Sequence, residues 1–179
     1  MRRALIIAAV GLLVLGFAST AKAVPLLPNT TVFPDGDSSP GGDLLASIIN
    51  ASFIGVDSYG NEYFRGTLSQ WVRSNADGLV FEYQFTNTGS ATADAIGRLS
   101  ATNFSGFTTD ADEEDDGGPY SLYITRSNSG SSVSFDWVNF PPAGYESVEP
   151  GVTSNLLWIQ TDASSYGNGS VVLVDGGQA

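Results

Sequence analysis

The sequence contains no cysteine and no histidine, and its single lysine, Lys22, falls within the first 23 residues. Each absence removes a class of function. Without cysteine there is no disulfide framework, so the fold must be held by its core alone. Without histidine or cysteine there is no Ser-His-Asp or Cys-His nucleophile system and no typical zinc ligand set. Carboxylates, hydroxyls and arginines are what remain for chemistry. Positive charge is almost as scarce: beyond residue 23, four arginines (Arg65, Arg73, Arg98, Arg126) stand against all 19 acidic residues, a net charge of −15. Such a surface disfavours nucleic acid and any polybasic attraction to anionic lipid, and its plain reading is solubility outside the cell.

Long hydrophobic runs are absent with one exception, which opens the chain. "MRRALIIAAVGLLVLGFASTAKA" sets Arg2 and Arg3 before an apolar run from Ala4 to Ala18 and closes on Ala21-Lys22-Ala23. That order is a secretory signal peptide, residues 1–23, with cleavage expected between Ala23 and Val24 and with Ala21 and Ala23 as the small residues of the site. The run is short for a membrane helix, which needs roughly 20 apolar residues. The expected product has no membrane span; an uncleaved anchor is the alternative.

Residues 24–43, "VPLLPNTTVFPDGDSSPGGD", carry four prolines and three glycines and read as an extended lead-in over the surface. From residue 44 to 179 the chain is a succession of short β-rich runs cut by Gly, Asn, Asp, Ser or Pro. About eight strands are expected, near 47–56, 63–73, 79–86, 96–102, 121–126, 133–138, 155–161 and 170–174, and no helix. One hairpin has a definite register. Taking Asp77-Gly78 as a two-residue turn places Val72 opposite Tyr83 and Arg73 opposite Glu82, with Phe81, Tyr83, Phe85, Val72 and Leu68 on the core side. The last two strands are apolar on both faces and read as central. The fold class expected is a single all-β domain, an antiparallel β-sandwich of jelly-roll-like character.

Three constellations carry candidate chemistry. The run "TDADEEDDGGP", residues 109–119, packs six carboxylates ahead of two glycines. Asp110, Asp112, Glu114 and Asp116 are its candidate ligands for a metal, which would be calcium. The imitation of a calcium loop fails at its twelfth position, where Tyr123 replaces the bidentate Glu. A solvated loop between strands is the plainer reading of such a charge run. A second acidic patch, Asp35, Asp37 and Asp43, lies in the lead-in with nothing local to bring it near. Trp71 falls on the polar face of the hairpin, where an exposed indole can stack on a sugar ring, or simply pack against the lead-in. Glu62, Glu82 and Asp136 are the carboxylates that a glycosidase pair would use. Two of them also have bland readings, Glu82 beside Arg73 and Asp136 by outward alternation in "VSFDWV".

The stretches "YFRGTLSQWVRSNADGLVFEYQFTNTGS", "IGRLSATNFSGFTTD" and "PGVTSNLLWIQTDASSYGNGSVVLVDGG" resemble the ectodomains of bacterial PEP-CTERM proteins, the exported proteins sorted by exosortase. The resemblance covers most of the chain after the leader. It implies export across the inner membrane of a Gram-negative-type cell and a place at the surface or in an exopolysaccharide matrix, with no biochemical activity and no functional residues to carry over. Members end in a Pro-Glu-Pro motif, an apolar span and a basic cluster; this sequence stops at "VDGGQA" without them, and "SVEPG" lacks the first proline. The expectation is a non-enzymatic, secreted acidic β-sandwich that contacts extracellular polysaccharide or matrix proteins. The alternative is a calcium-dependent carbohydrate-binding module, and a carboxylate-based glycoside hydrolase comes third.

Overall fold

The computed structural model describes residues 25–137 and 147–175, among which there are ten strands and no helix. The leader, with its cleavage residues Ala21, Ala23 and Val24, lies outside the described residues, as does Val138 at the end of one expected strand. The strands are β1 (Thr31–Val32), β2 (Asp43–Val56), β3 (Glu62–Asn75), β4 (Gly78–Asn87), β5 (Ile96–Thr102), β6 (Thr109–Glu114), β7 (Tyr123–Arg126), β8 (Ser132–Asp136), β9 (Leu156–Thr161) and β10 (Val171–Asp175). They form two antiparallel five-stranded sheets, ordered β1-β7-β8-β5-β10 and β2-β3-β4-β9-β6, which pack face to face as a β-sandwich. The two strands beyond those expected are β1 and β6. No helix among the described residues is long and apolar enough to cross a membrane.

Alternation builds the core. Phe85, Leu157 and Ile159 face inward from one sheet, and Leu99, Ile124, Val133 and Phe135 from the other. Trp137 joins them, its ring edge-on to Phe85 with centroids 5.5 Å apart, and its buried N–H donates to the carbonyl of Pro119 at 2.9 Å.

The β3–β4 hairpin keeps the expected faces but not the expected register. Val72 pairs with Phe81, Arg73 with Val80 and Asn75 with Gly78, so the turn residues are Ala76 and Asp77. The side chain of Asn75 accepts the N–H of Asp77 at 3.0 Å and closes the turn. Gly78 then leaves it at φ 131°, where an added Cβ would run into the carbonyl of Thr161. The slip is two residues, an even number, so Phe81, Tyr83, Phe85, Val72 and Leu68 still point inward. Glu82 sits directly opposite Trp71, and Arg73 reaches it diagonally with Nε 2.7 Å from Oε2.

One further expectation is corrected. β10 is an edge strand and not a central one: its inward Leu173 faces the core while Val172 and Val174 remain exposed. β2 is the edge of the other sheet, and no charged residue occurs between Leu44 and Val56.

At one end of the sandwich Arg126 points inward from β7 and is 4 % exposed. Its guanidinium donates to the carbonyls of Leu26, Phe104, Phe107 and Gly130 at 2.8–3.2 Å, with no carboxylate paired to it among the described residues. Burial pulls its pKa below the usual arginine value, with Asp162 opposing. A fixed planar fork of donors suits this task, since it reaches three chain segments, around Leu26, Phe104 and Gly130, at once.

Candidate metal centre

The acidic run expected as a solvated loop is strand β6 through Glu114, the sheet-edge neighbour of β9. The correction has a simple cause. Alternate residues of a strand share a face, so the spacing that imitated a calcium loop is also the spacing of an outward-facing row. Asp110, Asp112 and Glu114 stand outward, opposite Gln160, Trp158 and Leu156, while Thr109, Ala111 and Glu113 turn inward.

The outward row does not face water alone. Residues 33–42 of the lead-in lie across this face as a strap. The N–H groups of Asp35 and Asp37 donate to the two carboxylate oxygens of Asp112 at 3.2 and 3.3 Å, and the N–H of Ser39 donates to Glu114 at 3.3 Å. The Ser39 hydroxyl donates to Glu82 at 2.6 Å. Trp158 is buried beneath the strap, with its indole N–H bonded to the carbonyl of Asp37. A proline- and glycine-rich segment has no ladder of its own, so acceptors on the sheet below take up its backbone donors.

The strap brings charge as well as hydrogen bonds. One carboxylate oxygen each from Asp35, Asp37 and Asp112 lies within 4.8 Å of the others, a grouping that could hold a metal ion. Asp112 is buried at 6 % exposure, while Asp35 and Asp37 are exposed. Burial, followed by the side chain of Asp35, pushes the Asp112 carboxyl up to about 7, against the backbone N–H groups of Glu113 and Asp37. Burial also pushes Asp110 up to about 6, with Asp35 and Asp37 adding repulsion. Of the four ligands expected from the sequence, Asp112 alone joins the group. Glu114 holds the strap, and Asp116, beyond the strand, accepts from Gln84 Nε2 at 2.7 Å. Asp35 and Asp37 were visible only as a second acidic patch, because the contact spans 75 positions.

Glu113 faces the opposite way and is fully buried. Its Oε1 accepts the N–H and hydroxyl of Ser121 at 2.7 and 3.0 Å. Its Oε2 and the Asn155 amide nitrogen are the two buried side-chain polar atoms without a hydrogen bond among the described residues. Burial pushes the Glu113 carboxyl up to about 7; the Ser121 donors and the nearby Asn155 amide oppose the rise without offsetting it.

The remaining candidates are dispersed. Trp71 is half-buried on the same outer face, between Ser47 and Glu82. Glu82 and Asp136 are buried on the outer faces of different sheets, held by Arg73 and Arg98, and Glu62 pairs with Arg65 at the surface. These three carboxylates do not share a cleft, so none forms the facing pair that glycoside cleavage requires. Comparison with family models, curated proteins and solved structures gives no match for this chain.

Proposed function

We propose that the chain is a secreted, non-catalytic acidic β-sandwich of the cell surface or an exopolysaccharide matrix, and that calcium held by Asp35, Asp37 and Asp112 fastens its strap to the sandwich. The observation that carries this reading is the convergence of three carboxylates from two distant segments. Like charges this close repel unless a proton or a cation stands among them. The donors are all oxygen, the chemistry of a hard cation, and calcium accepts irregular geometry where magnesium demands a near-octahedral one. Three carboxylates leave the rest of a 6–8-oxygen shell to backbone carbonyls and water. Glu82, Glu113, Glu114 and Asp136 already have structural work in the strap, in ion pairs or in the Ser121 loop, which supports a non-catalytic role.

Thermal unfolding with calcium and with chelator tests the proposal. At a calcium concentration a hundred times the dissociation constant, linkage gives about 2.7 kcal/mol of added stability. The gain is expected in the wild-type protein and absent from Asp112→Asn. A wild-type midpoint that ignores calcium would mean that protons alone relieve the cluster.

A further inference from the structure

A pocket of about 180 Å³ opens between the two sheets on the far side of β4 from the strap. Its floor is Gln70, Val72, Phe81 and Tyr83, and Phe104 and Val171 close it from the other sheet. The walls are fixed: Phe81 and Phe104 meet edge to face at 80° with centroids 5.5 Å apart. Exposed Asn103, Phe107 and Tyr166 rim the mouth, so it opens to solvent.

Two polar groups inside lack partners. The Tyr83 ring is buried and Gln70 is half-buried, and within the described residues neither the Tyr83 hydroxyl nor the Gln70 side-chain amide makes a hydrogen bond; both belong to the pocket lining and neither is closed off from it. The hydroxyl of a buried tyrosine usually finds a partner, and one that opens into a cavity without a protein partner is free for a ligand or for water. Hydroxyl and amide both donate and accept, which matches a ligand bearing hydroxyl groups. The size matches a single ring, since a cavity of about 150 Å³ already admits benzene. No charged side chain lines the pocket, and the strongly negative chain repels anions. A quaternary ammonium would be drawn by the aromatic walls and the overall charge, but it offers nothing to the hydroxyl or the amide.

We propose that this pocket binds one pyranose ring of a neutral glycan, with Phe81 and Phe104 taking its apolar face and Tyr83 and Gln70 its hydroxyl groups. The proposal deepens the reading of the chain as a polysaccharide-contacting domain and rests on that setting, but it shares no residue with the calcium site. It also moves sugar recognition from Trp71 to the inter-sheet pocket.

The test is saturation-transfer NMR and calorimetry on the whole protein, run with calcium and with chelator, so that binding in the pocket is read separately from the calcium site. The probes are the methyl pyranosides of glucose, galactose and mannose, with methyl glucuronide and choline as charged controls. At least one neutral glycoside is expected to bind, and Tyr83→Phe to weaken it about tenfold, as loss of one hydrogen bond would, with the thermal midpoint unchanged. Trp71→Ala is expected to bind as wild type does. Silence from all three neutral glycosides overturns the proposal, as does preference for choline or the glucuronide, binding that survives both Tyr83→Phe and Gln70→Ala, or binding lost in Trp71→Ala.

Discussion

The indole N–H of Trp158 donates a 2.9 Å hydrogen bond to the carbonyl of Asp37, joining residues 121 positions apart. Trp158 stands between Glu82 and Asp112 on the outer face of its sheet, so the strap roofs a hydrophobic ring that would otherwise lie in water. The strap is thereby an extra layer of the fold.

Trp158→Phe is expected to lose about 1 kcal/mol, the net worth of one hydrogen bond, while keeping most of the apolar contact. Trp158→Ala should lose roughly 3–5 kcal/mol. Urea denaturation reads both values, and limited proteolysis reads the strap. Wild-type stability together with a protected strap in Trp158→Phe would show that the roof needs no such bond.

Arg126→Met keeps the length of the side chain and removes the guanidinium donors; the Leu26 carbonyl keeps the Thr109 hydroxyl and the Phe104 carbonyl the Phe107 N–H, while those of Phe107 and Gly130 lose the arginine donors they have. Buried acceptors without donors are costly, and the expected loss is at least about 3 kcal/mol. Arg126→Lys should recover only part of it, because an ammonium cannot span the planar array of acceptors. Equal denaturation midpoints for the lysine variant and the wild type would remove the geometric argument.

Glu113 makes stability depend on pH in a definite direction. Its folded-state value, about 7, lies above the roughly 4.3 of an unfolded glutamate. The folded chain therefore holds this proton more tightly than the unfolded one, and stability is full below about pH 4 and is lost as pH rises through 7. Glu113→Gln keeps an oxygen for Ser121 and cannot ionise. In calcium-free buffer, unfolding curves from pH 5 to pH 8 should fall more steeply for the wild type than for this variant, a difference on the order of 2–3 kcal/mol. Parallel curves would place the pH dependence elsewhere.

What the sequence made legible follows from the strength of local patterns. Phe81, Tyr83 and Phe85 alternate without interruption, so their face could be read even though the turn was placed on Asp77-Gly78 instead of Ala76-Asp77. β6 was hidden because a carboxylate, Glu113, occupies an inward position where an apolar residue would have revealed the period. Trp158 stands in the apolar run "NLLWIQT", which signals burial but carries no sign that the strap provides it. The meeting of Asp35 and Asp37 with Asp112 has no local signal at all, since it depends on where an irregular segment comes to rest on a finished sheet.

That dependence also orders events in time. The strap bonds to Glu82, Asp112, Glu114 and Trp158, and the face that carries them exists only when β4, β9 and β6 lie side by side. A segment near the start of the chain must therefore wait for strands made long after it, and its prolines and glycines keep it from pairing wrongly meanwhile. A latch that closes last is expected to make its contacts after the folding barrier, so that weakening it hastens unfolding and leaves the folding rate almost untouched.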